Sequence, residues 1–238
     1  MQPESVTMMN KGRAMTTVLH IDASVRHDRS LSRKLSQTFI ETWVAHRPSD
    51  KILRRNVGHH PPPFVTESWI AAAFTPPGER SLAMAAELAP SDACIGELEQ
   101  ADLIVMGTPM YNYGMPAHLK AWFDQVIRVG RTFSFDLARG DWPLEPTLGG
   151  KTLVLLTSTG EFGFEAGGMR EGWNHLDTHI RTCAHYLGVS ETHHIGIEYQ
   201  EFGGERHARS IADAHTEAVM LAGTLAAEQE RHHALAAQ

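Results

Sequence analysis

Residues 101–127 read ADLIVMGTPMYNYGMPAHLKAWFDQVI, in which a continuous apolar run leads through a short loop into an amphipathic pattern. The run at 101–107 is typical of a strand buried on both faces of a parallel sheet. The pattern over 116–129 predicts a helix. The loop between them is rich in apolar and aromatic side chains, and it holds Pro109, Met110, Tyr111, Asn112 and Tyr113. Such a loop either packs over the core or presents a surface to a flat aromatic ligand.

The alternation of strands and helices extends in both directions along the chain. Strands are predicted over 17–22, 51–57, 101–107, 151–158 and 193–199. Helices are predicted over 30–47, 81–99, 116–129, 172–187 and 204–230. This order predicts an α/β fold with a parallel sheet and right-handed crossovers. The segment 58–80 is predicted to be irregular, and 130–150 is predicted to be an insert punctuated by Gly and Pro.

Composition limits the classes of protein that the chain can belong to. Its 238 residues suffice for one large α/β domain, which we place at 16–230 after a polar leader at 1–15. A net charge of −7 without a basic run argues against nucleic-acid binding. Cys94 and Cys183 are too few for a disulfide framework, so we expect a cytoplasmic protein. No apolar stretch approaches the roughly 18 residues of a membrane span, so no membrane partner is expected.

The loop after the first predicted strand reads DASVRHDRSLSRKL (22–35) and lacks both the GxGxxG and the P-loop patterns. Hydroxyls recur instead at Ser24, Ser30 and Ser32, where the first helix begins. Helix N-termini offer unpaired N–H groups and a partial positive charge, which together with neutral hydroxyls suit a phosphate dianion. The alternative is that Ser30 is only an N-cap.

Ligands of parallel sheets bind beyond the carboxyl ends of the strands, where three predicted loops meet. The first carries the serines, the second carries the aromatic residues at 109–113, and the third reads TSTGEFG (157–163). Gly160 in the third loop allows the backbone to come close to a ligand. A phosphate site, an aromatic wall and a close backbone on one edge of a flavodoxin-like sheet predict a flavin mononucleotide (FMN) site.

The sequence resembles the FMN-dependent NADH azoreductases, which are also NADH:quinone oxidoreductases, of the flavodoxin-like superfamily. The resemblance covers roughly residues 16–221, and its most specific element is PMYNY...LKAWFDQVIRVGRTFSF. It implies a three-layer fold with a five-stranded sheet of order 2-1-3-4-5. It also implies FMN as cofactor, NADH or NADPH as electron donor, and quinones or azo compounds as acceptors.

The resemblance assigns cofactor contacts to three groups of residues. The phosphate contacts are Ser24, Ser30, Leu31 and Ser32. The residues along the isoalloxazine ring are Pro109, Met110, Tyr111, Asn112 and Tyr113. The residues at the pyrimidine end are Ser158, Thr159, Gly160 and Glu161.

The third loop departs from the family pattern, because relatives usually read SRGG where this chain reads Ser158-Thr-Gly-Glu. We expect this loss of an arginine to change the acceptors or the nucleotide preference. Relatives form two-fold dimers, and the same pairing would place Phe135 and Tyr186 at a shared substrate pocket. The apolar residues of the insert 130–150 need cover, which supports a homodimer.

The predicted reaction is a ping-pong hydride transfer in which the flavin N5 is the reactive centre and no side chain acts as a nucleophile. A flavodoxin-type electron carrier without its own substrate is the alternative, and a hydrolase would need a nucleophile pair or a carboxylate cluster that we do not find. His175, His179 and Cys183 share a spacing of four residues on the helix predicted over 172–187. No carboxylate completes an HExxH motif, so no metal site is predicted.

Overall fold

A computed structural model describes residues 15–236 of the chain. The predicted leader at 1–15 therefore lies outside the described residues, apart from Met15. None of the helices in the described part is long and apolar enough to cross a membrane.

The core of the fold is a five-stranded parallel sheet of order β2-β1-β3-β6-β7. Its strands are β1 (Thr17–Asp22), β2 (Lys51–Asn56), β3 (Leu103–Pro109), β6 (Lys151–Ser158) and β7 (Val189–Ile197). Two short strands, β4 (Phe133–Phe135) and β5 (Leu144–Pro146), form a separate antiparallel hairpin. Counted within the main sheet, the order is 2-1-3-4-5, so the predicted flavodoxin-like fold is confirmed. The central strand β3 is buried at every position, as its apolar run predicts.

Helices cover both faces of the sheet. They are α1 (Leu31–His46), α2 (Glu67–Phe74), α3 (Leu82–Gln100), α4 (Ala117–Val126), α5 (Asp177–Ala184) and α6 (Gly204–Ala236). On one face, Phe39 and Trp43 of α1 share a core cluster with an alanine stripe of α6 that includes Ala218. On the other face, α3, α4 and α5 enclose a second cluster around Trp122 and Ile95. Two apolar clusters separated by a sheet define a three-layer domain.

The segment predicted to be irregular, 58–80, contains the helix α2, so that prediction was wrong for its middle part. Thr66 caps the helix by accepting a hydrogen bond from the Trp69 amide. Trp69 is 7 % exposed, and its indole Nε1–H donates to Gln125 Oε1 at 2.9 Å. Tertiary packing of Trp69 stabilises a helix that is short and flanked by prolines, which is why propensity alone misses it.

Two boundaries in the carboxyl-terminal half also differ from the prediction. The helix predicted from 172 begins at Asp177, because Gly172 has a φ of +80° and Asn174 Oδ1 accepts from the amides of Leu176 and Asp177. The strand predicted from 193 already begins at Val189, directly after Gly188, whose φ is +81°. The insert 130–150 contains the β4–β5 hairpin, which lies at the edge of the sheet where β6 begins.

Candidate functional site

A cleft opens at the carboxyl edge of the sheet, where the loops after β1, β3, β6 and β7 meet. Its predicted lining residues are Ser24, Ser30, Leu31, Pro109, Met110, Tyr111, Ser158 and Gly160. Its lining residues that the sequence did not indicate are Arg26, Gln200 and Glu201. We call the part lined by Ser24, Ser30 and Leu31 the serine end, and the part lined by Ser158, Gly160 and Glu201 the loop end.

At the serine end, the start of α1 supplies the polar groups. Ser30 is the N-cap, and its Oγ accepts a hydrogen bond from the Arg33 amide at 3.2 Å. The cap does not use its hydroxyl proton, which can be donated either to a ligand or to Ser32 Oγ. The amides of Leu31 and Ser32, the first two of the helix, have no acceptor within the helix. Ser32 is fully buried behind Ser30, with 3.4 Å between the two Oγ atoms.

The loop after β3 owes its shape to a tight turn. Tyr111 and Gly114 exchange two backbone hydrogen bonds of 3.0 Å, and the two residues between them have positive φ, 48° at Asn112 and 64° at Tyr113. These are the features of a type I′ turn. A bulky residue such as Tyr113 is rare at positive φ, and conformations of this kind cluster at functional sites. Asn112 and Tyr113 lie outside the lining of the cleft, whereas Met110 and Tyr111 form its wall.

The loop end is held by pairing between two backbone segments. The Glu201 amide donates to the Gly160 carbonyl at 3.0 Å, and the Gln200 amide donates to the Thr159 carbonyl at 3.3 Å. A Cβ at Gly160 would lie 2.7 Å from the Glu201 carboxyl group, so any larger residue would displace the Glu201 side chain. Gln200 and Glu201 lie in the loop that follows β7, at the same carboxyl edge of the sheet. That position is the signal that could have revealed them.

An acidic residue with two partners lies beside the loop end. Glu161 forms an ion pair with Arg170, with 2.8 Å between Oε1 and NH2. A hydrogen-bonding interaction with Glu161 raises the pKa of the Tyr113 phenol. The Tyr113 ring also contacts Trp173 edge-on, with 5.7 Å between the ring centroids. Arg170 therefore supplies a guanidinium, from further along the chain, beside the loop after β6.

The loop at 162–175 covers a second cavity, of about 330 Å³, beside the first. Thr159 and Met110 line it, together with His194 of β7. The Thr157 Oγ1 lies 2.8 Å from His194 Nε2, and burial lowers the pKa of His194. His194 is consequently neutral at pH 7 and acts there as a hydrogen-bonding side chain rather than as a charge.

Phe135 and Tyr186 lie away from the cleft of their own chain. Phe135 is in the hairpin and is 54 % exposed, and the Tyr186 ring packs against Phe133 with 5.4 Å between centroids. The hairpin follows α4 and precedes β6, so it is at the sheet edge opposite the cleft. These two residues could contact a substrate only in the cleft of another copy of the chain.

The histidine–cysteine spacing does not assemble a metal site. His175 precedes α5, so it is not on the helix face that His179 and Cys183 would share. Among the described residues, no group of three or more His, Cys, Asp or Glu side chains is placed to hold a metal ion.

The arrangement fits a ligand that joins a phosphate to a flat ring system. The serine end offers neutral hydroxyls and helix amides, which satisfy a dianion without an opposing carboxylate. Met110, Tyr111 and Pro109 offer an apolar wall, and the glycine at the loop end lets the backbone approach a ring edge. Together, the fold and this cleft define a flavodoxin-like α/β protein with a cleft at the carboxyl edge of its sheet.

Comparison with known proteins places the chain more narrowly. The family model described as "Flavodoxin-like fold" matches residues 16–221. An "FMN-dependent NADH:quinone oxidoreductase 2" of Idiomarina loihiensis is 52 % identical over 218 residues, which are 89 % of this chain and 91 % of the relative. An "FMN-dependent NAD(P)H:quinone oxidoreductase 1" of Pseudomonas aeruginosa is 42 % identical over 209 residues, 87 % of this chain and 99 % of the relative. The chain belongs to this family of flavodoxin-like oxidoreductases.

A solved structure supports the same fold. The azoreductase of Bacillus anthracis superposes with a TM-score of 0.79 and 22 % identity, over 88 % of this chain and all of that one. This likeness confirms the flavodoxin-like architecture that the strand order shows.

Proposed function

We propose that the protein is an FMN-dependent NAD(P)H:quinone oxidoreductase. The observation that carries the proposal is the cleft itself, in which one end suits a phosphate and the wall from Pro109 to Tyr111 suits a flat ring. Relatives that are 52 % and 42 % identical over most of the chain carry names with this activity, which supports the same assignment here.

The chain's own residues hold the cofactor in two regions. Ser30, Ser24 and the amides of Leu31 and Ser32 bind the phosphate, because they are the neutral donors at the start of α1. Met110 and Tyr111 pack along the ring, and Ser158 and Gly160 meet its pyrimidine edge. Thr159, Asn112, Tyr113 and Glu161 support these contacts from outside the lining of the cleft.

When held by these residues, FMN would supply two-electron hydride chemistry between a reduced nicotinamide and a quinone or an azo compound. The residues of the chain orient the donor and the acceptor and hold water away from the ring. Because one open face serves both substrates, they bind in turn, which is a ping-pong scheme. Double-reciprocal plots of rate against NADH at several quinone concentrations are then parallel, and intersecting lines would contradict the shared site.

A second part of the proposal is a homodimer. The hairpin exposes Phe135, Leu137, Trp142 and Leu144, of which Trp142 is 84 % exposed. Exposed apolar groups of this size mark an interaction site. A closed two-fold pairing would bury two copies of the hairpin and bring Phe135 and Tyr186 of each copy to the cleft of the other.

One experiment tests the activity. The purified protein is analysed for bound FMN and then mixed with NADH, with and without a quinone. We expect a yellow protein that bleaches within seconds with NADH alone and regains its colour when the quinone is added. A yellow protein that NADH does not bleach would instead indicate an electron carrier, and a colourless protein that takes up no added FMN would refute the proposal.

A further inference from the structure

The first turn of α1 breaks a rule of helix sequence. A glutamate three residues after a serine N-cap completes a capping box, but the residue three after Ser30 is Arg33. This turn contains no acidic residue at all. A cation near a helix N-terminus opposes the helix dipole and so destabilises the start of the helix. Violations of local rules concentrate at functional positions, so the contacts of Arg33 indicate what offsets this cost.

The Arg33 guanidinium faces the back of the loop at 23–29. Its NH2 group donates to the Ser24 carbonyl at 2.7 Å, and its Nε donates to the Arg26 carbonyl at 3.4 Å. Its NH1 group forms an ion pair with Asp22 Oδ2 at 2.9 Å. One planar fork thus binds two carbonyls of the loop and a carboxylate at the end of β1.

The Asp22 carboxylate that pairs with the guanidinium is itself held by two other side chains. Ser36 donates to its Oδ1 at 3.0 Å, and His20 Nε2 lies 3.5 Å from the same atom. Burial would raise the pKa of Asp22, but His20, Arg33 and Ser36 outweigh burial and hold the pKa below its usual value. On the other side, the loop packs closely against the backbone of Gly58, where an added Cβ would lie 2.2 Å from the Ser24 carbonyl oxygen.

We infer that Arg33 is a positioning residue for the serine end of the cleft. Arg33 does not line the cleft, but the binding of a phosphate there depends on it. By binding the Ser24 and Arg26 carbonyls from behind, it keeps their oxygens turned away from the anion. Ser24 and the first amides of α1 then face the cleft. The inference rests on the proposed binding of FMN, whose phosphate is the group that this geometry serves.

The test compares FMN with riboflavin, which has the same rings and no phosphate. Dissociation constants of both flavins are measured by quenching of flavin fluorescence for wild type, Arg33→Gln, Arg33→Lys and the matched control Arg29→Gln. Arg29 lies in the same loop and carries the same charge, but it is exposed and makes no hydrogen bond or ion pair in the part of the chain that the structure describes. The control therefore separates general charge from positioning.

We expect Arg33→Gln to weaken FMN binding by at least about tenfold and riboflavin binding by less than about twofold. Arg29→Gln leaves both constants within about twofold. Arg33→Lys keeps the charge but loses the planar fork, so it weakens FMN binding by about threefold to tenfold. If Arg33→Gln does not fold, as judged by thermal unfolding, the lysine variant decides alone.

Equal losses for the two flavins, or a lysine variant with wild-type FMN affinity, would overturn the inference. A wild-type protein that binds riboflavin as tightly as FMN would overturn it too, because the serine end would then bind no phosphate. By contrast, a wild-type protein that binds neither flavin would refute the proposed function itself. The two failures are therefore distinguishable.

Discussion

At the serine end of the cleft, Ser24 and Ser30 are at most 3 % exposed and are fixed by a network behind them, whereas Tyr113 beside the loop end is 38 % exposed. The serine end depends on a helix start and on side-chain hydrogen bonds. The loop end depends on a turn with positive φ, on Gly160 and on pairing between backbone segments. The difference teaches that the two ends are held by different means, and we expect the serine end to govern cofactor affinity and the residues beside the loop end, Glu161 and Arg170, to govern turnover.

The largest effect is expected at the serine end. The double substitution Ser30→Ala with Ser32→Ala removes the Ser30 hydroxyl at the phosphate, worth about 1.5–3 kcal/mol, and the buried Ser32 hydroxyl behind it, so FMN affinity falls by about tenfold to a hundredfold. The control is Ser81→Ala, which removes the N-cap of α3, a residue that does not line the cleft. Both proteins lose some stability, about 1 kcal/mol per cap. Titration with FMN checks the difference, and an unchanged affinity in the double variant would sink the assignment of the phosphate site.

A smaller effect of a different kind is expected at the loop end. Arg170→Gln removes the partner of Glu161, so kcat/KM for NADH falls by about tenfold while FMN affinity stays within about twofold. Arg181→Gln, which breaks a surface pair with Asp177 on α5, is the matched control. Steady-state kinetics beside FMN titration measure both quantities. A loss of FMN affinity without a loss of turnover would break the comparison between the two ends.

The hairpin adds a third region to the comparison of the two ends, because in the proposed dimer its Phe135 would affect turnover at the cleft of the other chain. Phe135→Ala is expected to lower kcat/KM for quinones by about threefold, with FMN content intact, since an aromatic contact contributes about 0.5–1.5 kcal/mol. Met220→Ala, an exposed apolar truncation on α6, should leave both unchanged. Sedimentation is run beside the kinetics. A wild-type monomer with full activity at nanomolar concentration would exclude the shared site.

The smallest effect is expected in how the stability of the protein depends on pH through His194, whose Nε2 lies 2.8 Å from Thr157 Oγ1. The pKa of His194 is lowered in the folded state, so the unfolded chain binds more protons below about pH 6.5. Its stabilising contribution is therefore complete above that pH and declines as the pH falls below it, by at most about 1.4 kcal/mol per pH unit. The free energy of unfolding is measured by urea denaturation at several values between pH 5 and 8, and it should depend less on pH in His194→Gln than in wild type. The same pH dependence in the two proteins would exclude this titration.

The sequence predicts the fold and the start of α1 at Ser30 well, because both follow from local patterns. Buried strands read as apolar runs, and Ser30 stands where a helix must begin. The loop end is harder, since its contacts join segments that are distant in the sequence. No local signal places Arg170 beside Glu161, or Glu201 against Gly160. The positive φ of Tyr113 is hidden for the same reason, because only the surrounding packing makes it tolerable for a bulky residue.

The position of the hairpin, at the sheet edge opposite the cleft, has a consequence for genetics if the chain pairs as proposed. A copy that carries Ser30→Ala and Ser32→Ala has no working site of its own, yet its hairpin is intact. A copy with Phe135→Ala keeps its serines but offers its neighbour a damaged hairpin. In a mixed pair, the intact Phe135 of the first copy would contact the cleft of the second copy, which still binds the cofactor. Two defective alleles would therefore restore one unimpaired site in every mixed pair, and a purified mixed pair would contain one site with wild-type kcat/KM for quinones, which neither pure pair contains.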